Sequence, residues 1–96
     1  MSRQPTDRSA RSQNAPRPGP LPPYKVILLR EAGKELMFVV RTVMELTRFC
    51  RAEATYKMWE AHHTGRSLLL VTHKERAELY VEQFAERGLP VMIEPA

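Results

Sequence analysis

The residues best suited to bind a metal or to act as a nucleophile are three histidines and one cysteine. His62 and His63 are neighbours in a helical pattern, so their rings point about 100° apart and cannot hold one metal ion together. His73 follows the next predicted strand, and no cysteine or carboxylate cluster completes a metal site. Cys50 falls on an apolar stripe without an activating charge, which predicts a buried, unreactive thiol. The pattern therefore favours no metal, no cofactor and no enzyme.

A helical face in the middle of the chain has the residue types of either a core or a pocket. Ala54, Met58, Ala61 and His62 recur at helical spacing and share that face. Gly65 is expected to end the helix, because glycine enters the left-handed cap conformation at little cost. Methionine lines adaptable binding surfaces as well as cores. From the residues alone, core and pocket wall both remain open.

Length and composition bound the protein to one small domain in a reducing compartment. The chain has 96 residues, enough for a single domain with a small core. One cysteine allows no internal disulfide, which is typical of reduced compartments. No apolar run approaches the roughly 18 residues of a membrane span, and no signal-peptide pattern is found. We expect a cytoplasmic monomer that does not interact with a membrane.

Residues 1–23 are predicted to be a disordered extension, followed by a folded domain at residues 24–96. The extension holds six of the eight prolines and almost no large apolar side chain. Its four arginines against one aspartate give +3 of the net charge of +4, so the predicted domain is nearly neutral. A neutral domain argues against a nucleic-acid-binding face. The extension is either a solvated leader or a functional tail.

The hydrophobic pattern predicts the order β-α-α-β-α-β. Strands are expected at 24–29, 67–71 and 91–93, and helices at 36–50, from about 51 to 63, and from Thr72 to 87. Glu35 is expected in the first turn of the first helix, and Thr72 with Glu75 matches a capping box for the third. Gly88 would be the third helix's C-cap. The inward residues of that helix are predicted to be Ala77, Tyr80, Val81, Phe84 and Ala85. Such an order favours an α+β two-layer sandwich with a three-stranded antiparallel sheet and three helices.

Four segments form a specific combination. They are Pro22-Pro-Tyr-Lys-Val-Ile-Leu-Leu29, Phe38-Val-Val40, the stretch with Glu53-Ala-Thr55, Met58 and His62-x-x-Gly65-Arg66, and Ile93-Glu-Pro-Ala96. Together they resemble the ClpS family of Clp protease adaptors. The resemblance implies a non-enzymatic adaptor that binds substrates with a bulky, apolar first residue, the N-degron. It also implies docking on the N-terminal domain of the AAA+ unfoldase that works with ClpP, with a mobile extension that enters the unfoldase pore.

The resemblance also implies roles for individual residues. Leu36, Val39, Met58 and Ala61 would wall the pocket for the first side chain, and His62 would hydrogen-bond the α-amino end. Leu89 would add a further wall. In the unfoldase-docking region, Glu75 matches an acidic contact of the family, and Tyr80 stands where lysine is common.

The segment after the first strand departs from the family pattern. Family members usually carry Asn-Asp-Asp and then Tyr-Thr-Pro, whereas this chain has Arg30-Glu31-Ala32 and then Gly33-Lys34-Glu35. A substrate α-amino group is cationic at pH 7 and needs acceptors. With Arg30 in place of an amide, we expect weaker N-degron binding, with Glu31 and His62 carrying what remains. The alternatives are an adaptor with altered substrate choice and a small ribosome- or RNA-associated α/β domain that uses the arginine-rich extension.

Overall fold

The computed structural model describes residues 21–96, which form six elements in the predicted order. They are β1 (Tyr24–Leu29), α1 (Leu36–Thr47), α2 (Arg51–Thr64), β2 (Arg66–Thr72), α3 (Lys74–Glu86) and β3 (Val91–Pro95). Most of the predicted extension at 1–23 lies outside the described residues. Its last residue, Pro23, accepts a hydrogen bond from the backbone of Ala96 (2.9 Å).

The three strands form one antiparallel sheet in the order β2-β1-β3. β1 is the central strand, and its register with β2 shifts between Val26 and Ile27. Alternation along a strand places Val26 and Leu28 on the same face, and both belong to the core cluster to which all three helices contribute. The helices therefore cover that face of the sheet, and the predicted α+β sandwich is confirmed.

The first helix ends earlier than predicted, and this overturns the expectation for Cys50. Arg48 adopts a left-handed conformation (φ 68°), and its backbone N–H donates to Met44 O. Cys50 is in extended conformation as the N-cap of α2, with an exposed thiol rather than a buried one. Two antiparallel helices need a connection of a few residues, and residues 48–50 provide it at the cost of the helix's last turn.

The caps of the helices also differ from the prediction. Glu35 is the N-cap of α1 without a side-chain bond, not a first-turn residue. Thr72 is the last residue of β2, and the N-cap of α3 is His73, whose Nδ1 accepts from Arg76 N (3.3 Å). Thr72 pairs with Tyr24 in the sheet, which extends the strand and moves the helix start by one residue.

The end of α3 needs two smaller corrections. The C-cap is Arg87, and Gly88 follows it with a left-handed φ of 77°. Ala85 is exposed and Val81 is half-buried, whereas Ala77, Tyr80 and Phe84 are buried as expected.

Candidate functional site

A pocket opens where the end of β1, the start of α1, the last turns of α2 and the segment after α3 meet. Its volume is about 280 Å³, including the space open to solvent. All eight residues predicted for substrate binding line it, together with two residues of β1: Leu28, Leu29, Arg30, Glu31, Leu36, Val39, Met58, Ala61, His62 and Leu89. The structure thus brings the predicted residues together, and their contact with a ligand remains a prediction.

The interior of the pocket is apolar and belongs to the hydrophobic core. Met58 and Ala61 face it from α2, Val39 faces it from α1, and Leu89 closes it from the segment before β3. All four are buried. The helical face left open by the sequence is therefore both core and pocket wall. Burying a ligand's apolar side chain there would gain on the order of 1.5–3 kcal/mol.

Arg30 lies at the rim of the pocket and is attached to the end of α2. Its Nε donates to His62 O at 3.0 Å and its Nη2 to His63 O at 3.4 Å. Its backbone N–H donates to Gly65 O at 3.1 Å. These carbonyls lie at the helix C-terminus, where unpaired acceptors and the helix dipole favour a cation. Arg30 thus connects the end of β1 to the end of α2 and also places a positive charge at the rim. We call its bonds to the carbonyls of α2 the Arg30 clamp.

Glu31 is the only carboxylate among the described residues that line the pocket. Its Oε1 accepts a hydrogen bond from Gly33 N at 3.0 Å, which holds the side chain near the rim. Lys34 does not line the pocket and lies against Gly88 instead. A Cβ built on Gly88 would come within 2.8 Å of Lys34 Nζ. The rim therefore combines one cation, one anion and an imidazole.

His62 is exposed at the rim, and its ring contacts a tryptophan that sequence reasoning missed. The His62 and Trp59 ring centroids are 5.5 Å apart in an edge-to-face arrangement. Trp59 also stacks on His63 at 5.3 Å. The signal in the sequence was the i, i+3 spacing of Trp59 and His62 on a helix. Leu28 and Leu29 were also missed, because a strand's end shows no sign of the pocket beside it.

The two predicted docking residues lie in adjacent grooves on α3. Glu75 is exposed in the first turn and lines a groove with His73, Arg76 and Leu79, among others. Tyr80 is a core residue, only 6% exposed, and its ring lies 5.4 Å below the guanidinium of Arg76. It lines the neighbouring groove together with Arg76 and Leu79. Glu75 is therefore accessible from solvent, whereas Tyr80 is almost completely buried.

Within residues 21–96 there is no group of three or more histidine, cysteine or acidic side chains placed to hold a metal ion. In the same part of the chain, no helix has the length and apolar content needed to cross a membrane.

An apolar pocket with a polar rim on a small α+β domain defines a binding module. The family model for the ATP-dependent Clp protease adaptor protein ClpS matches residues 20–92. The chain therefore belongs to the ClpS family of Clp protease adaptors. Members of this family are adaptors and not enzymes.

Three similar proteins support this assignment. An ATP-dependent Clp protease adapter protein ClpS from Synechococcus sp. (strain CC9902) is 35% identical over 75 residues, covering 77% of this chain and 72% of that protein. A chloroplastic Clp protease adapter from Chlamydomonas reinhardtii is 32% identical over 95 residues, covering 98% of this chain and 56% of that protein. The solved structure of Agrobacterium tumefaciens ClpS2 bound to L-phenylalaninamide has a TM-score of 0.73 at 26% identity, covering 78% of this chain and 98% of that one.

Proposed function

We propose that this adaptor binds substrate proteins through a free N-terminal residue with a bulky apolar side chain and delivers them to the Clp unfoldase. The observation that carries the proposal is the pocket, which joins a buried apolar interior to a rim with a carboxylate and an imidazole. The water-accessible part of its volume is only about 20 Å³, room for little more than one water molecule. The lining residues must therefore move apart to admit a bulky side chain.

The rim supports recognition of an α-amino group, with reduced affinity. Glu31 provides a negative charge for the ammonium group, and His62 is placed to hydrogen-bond it. Arg30 introduces a positive charge among the same lining residues. A weakened polar contact to a charged group costs about 1–3 kcal/mol, or roughly 5- to 150-fold in affinity. We therefore expect weaker N-degron binding than an adaptor with uncharged or acidic residues at these positions would show.

Calorimetric titration with short peptides that begin with Phe, Leu, Tyr or Trp tests the proposal. Each peptide is paired with an N-acetylated copy, which keeps the side chain and removes the ammonium group. We expect the free peptides to bind and the acetylated copies to bind at least 5-fold more weakly, from the loss of the charged contact. Glu31→Gln and His62→Ala should weaken binding of the free peptides. Equal binding of free and acetylated peptides would show that the protein does not recognise a free N-terminus.

The first turn of α3 is the proposed contact with the unfoldase N-terminal domain. Glu75 is exposed there, beside the half-exposed apolar side chain of Leu79. An exposed charge next to an apolar anchor is suited to docking a partner of opposite charge. The N-terminal extension is proposed to assist delivery. Deleting residues 1–20 should leave peptide affinity unchanged and slow degradation of a substrate that depends on the adaptor.

A further inference from the structure

An aromatic surface on α2 continues outward from the rim of the pocket. Tyr56, Trp59 and His63 recur at i, i+3 and i+7, which places them on one face of the helix. His62 lies beside them and lines the pocket. We call these four residues the aromatic stripe. Tyr56 is 62% exposed and Trp59 is 42% exposed, although such large rings are usually much more buried.

The rings of Trp59, His62 and His63 form a connected surface. Trp59 stacks on His63 with centroids 5.3 Å apart, and its ring meets the ring of His62 edge to face at 5.5 Å. No carboxylate, lysine or arginine is among the four residues, but Lys57 Nζ lies 6.0 Å from the centroid of the Tyr56 ring. The rim carries the charges of Arg30 and Glu31, and the guanidinium of Arg30 bonds the carbonyls of His62 and His63 at the end of α2. The exposed rings on α2 offer a favourable surface to an apolar or aromatic segment that leaves the pocket on this side.

We infer that the aromatic stripe binds the third residue of the substrate, with a preference for an aromatic side chain. The inference rests on the proposed function. In an extended peptide, side chains alternate in direction, so the third points to the same side as the first. It lies about 6.6 Å further along, at two residues of roughly 3.3 Å rise. The ring centroids of His62 and Trp59 are 5.5 Å apart, so a peptide with its first side chain beside His62 that runs toward Trp59 would bring its third side chain to that ring.

Four ligands test whether an aromatic side chain increases affinity specifically at the third residue, rather than at any position of the peptide. They are leucinamide and the N-terminal sequences Leu-Ser-Ser, Leu-Ser-Phe and Leu-Phe-Ser on one common polar peptide without tryptophan. A favourable aromatic pair corresponds to about 2- to 12-fold in affinity. We expect Leu-Ser-Phe to bind tighter than Leu-Ser-Ser by this factor, and Leu-Phe-Ser to gain less. An equal gain from both aromatic peptides would overturn the assignment to the third residue.

Trp59→Ala tests the surface itself. The variant should lose the advantage of Leu-Ser-Phe over Leu-Ser-Ser. This ratio is the readout, because the Trp59 ring also contacts His62 and its removal can change the affinity for leucinamide and Leu-Ser-Ser equally. Leu79→Ala is the matched control, because Leu79 is 46% exposed on α3, away from the pocket lining. It should keep that advantage. If Leu-Ser-Phe keeps its affinity advantage in Trp59→Ala, the inference is wrong. It is also wrong if the advantage is kept and analytical ultracentrifugation shows that the substitution abolishes self-association, because the stripe would then bind a second copy of the chain.

Trp59 is the only tryptophan of the chain and gives an independent readout. Saturation with Leu-Ser-Phe should shift its emission to shorter wavelength more than saturation with Leu-Ser-Ser. Equal shifts would contradict the contact. If leucinamide and all three peptides fail to bind, the proposed function fails as well. If they bind with equal affinity, only the third-residue contact fails.

Discussion

Replacing Arg30 with glutamine tests whether the end of β1 holds the last turn of α2 in place. The substitution removes two side-chain bonds to carbonyls, of which the bond to His62 O is 3.0 Å and the bond to His63 O is 3.4 Å. The backbone bond from Arg30 to Gly65 remains possible. One net hydrogen bond contributes about 0.5–1.5 kcal/mol, and a cation at a helix C-terminus about 0.3–1 kcal/mol. The longer bond is near the geometric limit and adds little.

We therefore expect Arg30→Gln to lower the free energy of unfolding by about 1–2 kcal/mol. For a domain of this size, that corresponds to a fall in Tm of roughly 4–16 °C. Urea denaturation and thermal melts followed by circular dichroism measure both quantities. Arg30→Lys keeps the charge without the two-pronged geometry, so it should lose an intermediate amount.

The control is Arg87→Gln at the end of α3. Arg87 pairs with the exposed carboxylate of Glu45 at 2.6 Å, and exposed ion pairs contribute only about 0–1 kcal/mol. Arg87 is the C-cap of α3, and within the described residues its side chain bonds to Glu45 rather than to a carbonyl. A loss in Arg87→Gln as large as in Arg30→Gln would therefore refute the idea that the side-chain bonds to the helix-end carbonyls make Arg30 special. Wild-type stability of Arg30→Gln would refute the clamp itself.

Three further predictions address the pocket, the docking groove and the turn after α3. Ala61→Leu should fill the pocket and lower peptide affinity in calorimetry by roughly 10-fold or more. The overpacking should also lower the free energy of unfolding by about 1–3 kcal/mol. Wild-type peptide affinity would exclude this pocket as the site. Glu75→Arg should weaken binding to the unfoldase N-terminal domain in surface plasmon resonance, and Glu53→Arg on α2 should not; equal binding of both would exclude Glu75 from the contact. Gly88→Ala should cost about 1–2 kcal/mol in urea denaturation, because its φ of 77° strains a residue with a Cβ. Adding Lys34→Ala should relieve only the 2.8 Å contact, so full recovery would contradict the strain.

The fold could be predicted from the sequence wherever local signals agreed with each other. Prolines precede β1 and charges follow it, so its observed bounds match the prediction. Gly65 ends α2 with a φ of 97°, as a glycine after an apolar stripe suggests. The errors arose where tertiary pairing decided. Thr72 is a better N-cap than histidine by local preference, yet its pairing with Tyr24 keeps it in the sheet.

The candidate site was predictable on its apolar side and not on its polar side. Met58 and Ala61 could be assigned to one face because helical spacing is local. The partners of Arg30 could not be found this way, since its bond to His62 O joins residues 32 positions apart. That bond forms only because β1 ends beside the C-terminus of α2. From its charge alone, Arg30 is expected to repel the ammonium group of a ligand. In the folded chain it also stabilises the end of α2, the helix that carries His62.

Arg30, which stands where ClpS family members usually carry asparagine, is therefore expected to have two opposing effects on ligand binding. If Arg30 acted only as a charge, its removal would strengthen the binding of an ammonium group. Because it also fixes the carbonyl of His62, its removal should loosen the imidazole that is proposed to contact the same group. The two effects oppose each other, so peptide affinity alone cannot separate them. Arg30→Lys separates them, since it keeps the charge while weakening the clamp. Binding weaker than wild type in Arg30→Lys would identify the clamp as the larger contribution, and unchanged binding would assign the effect to the charge.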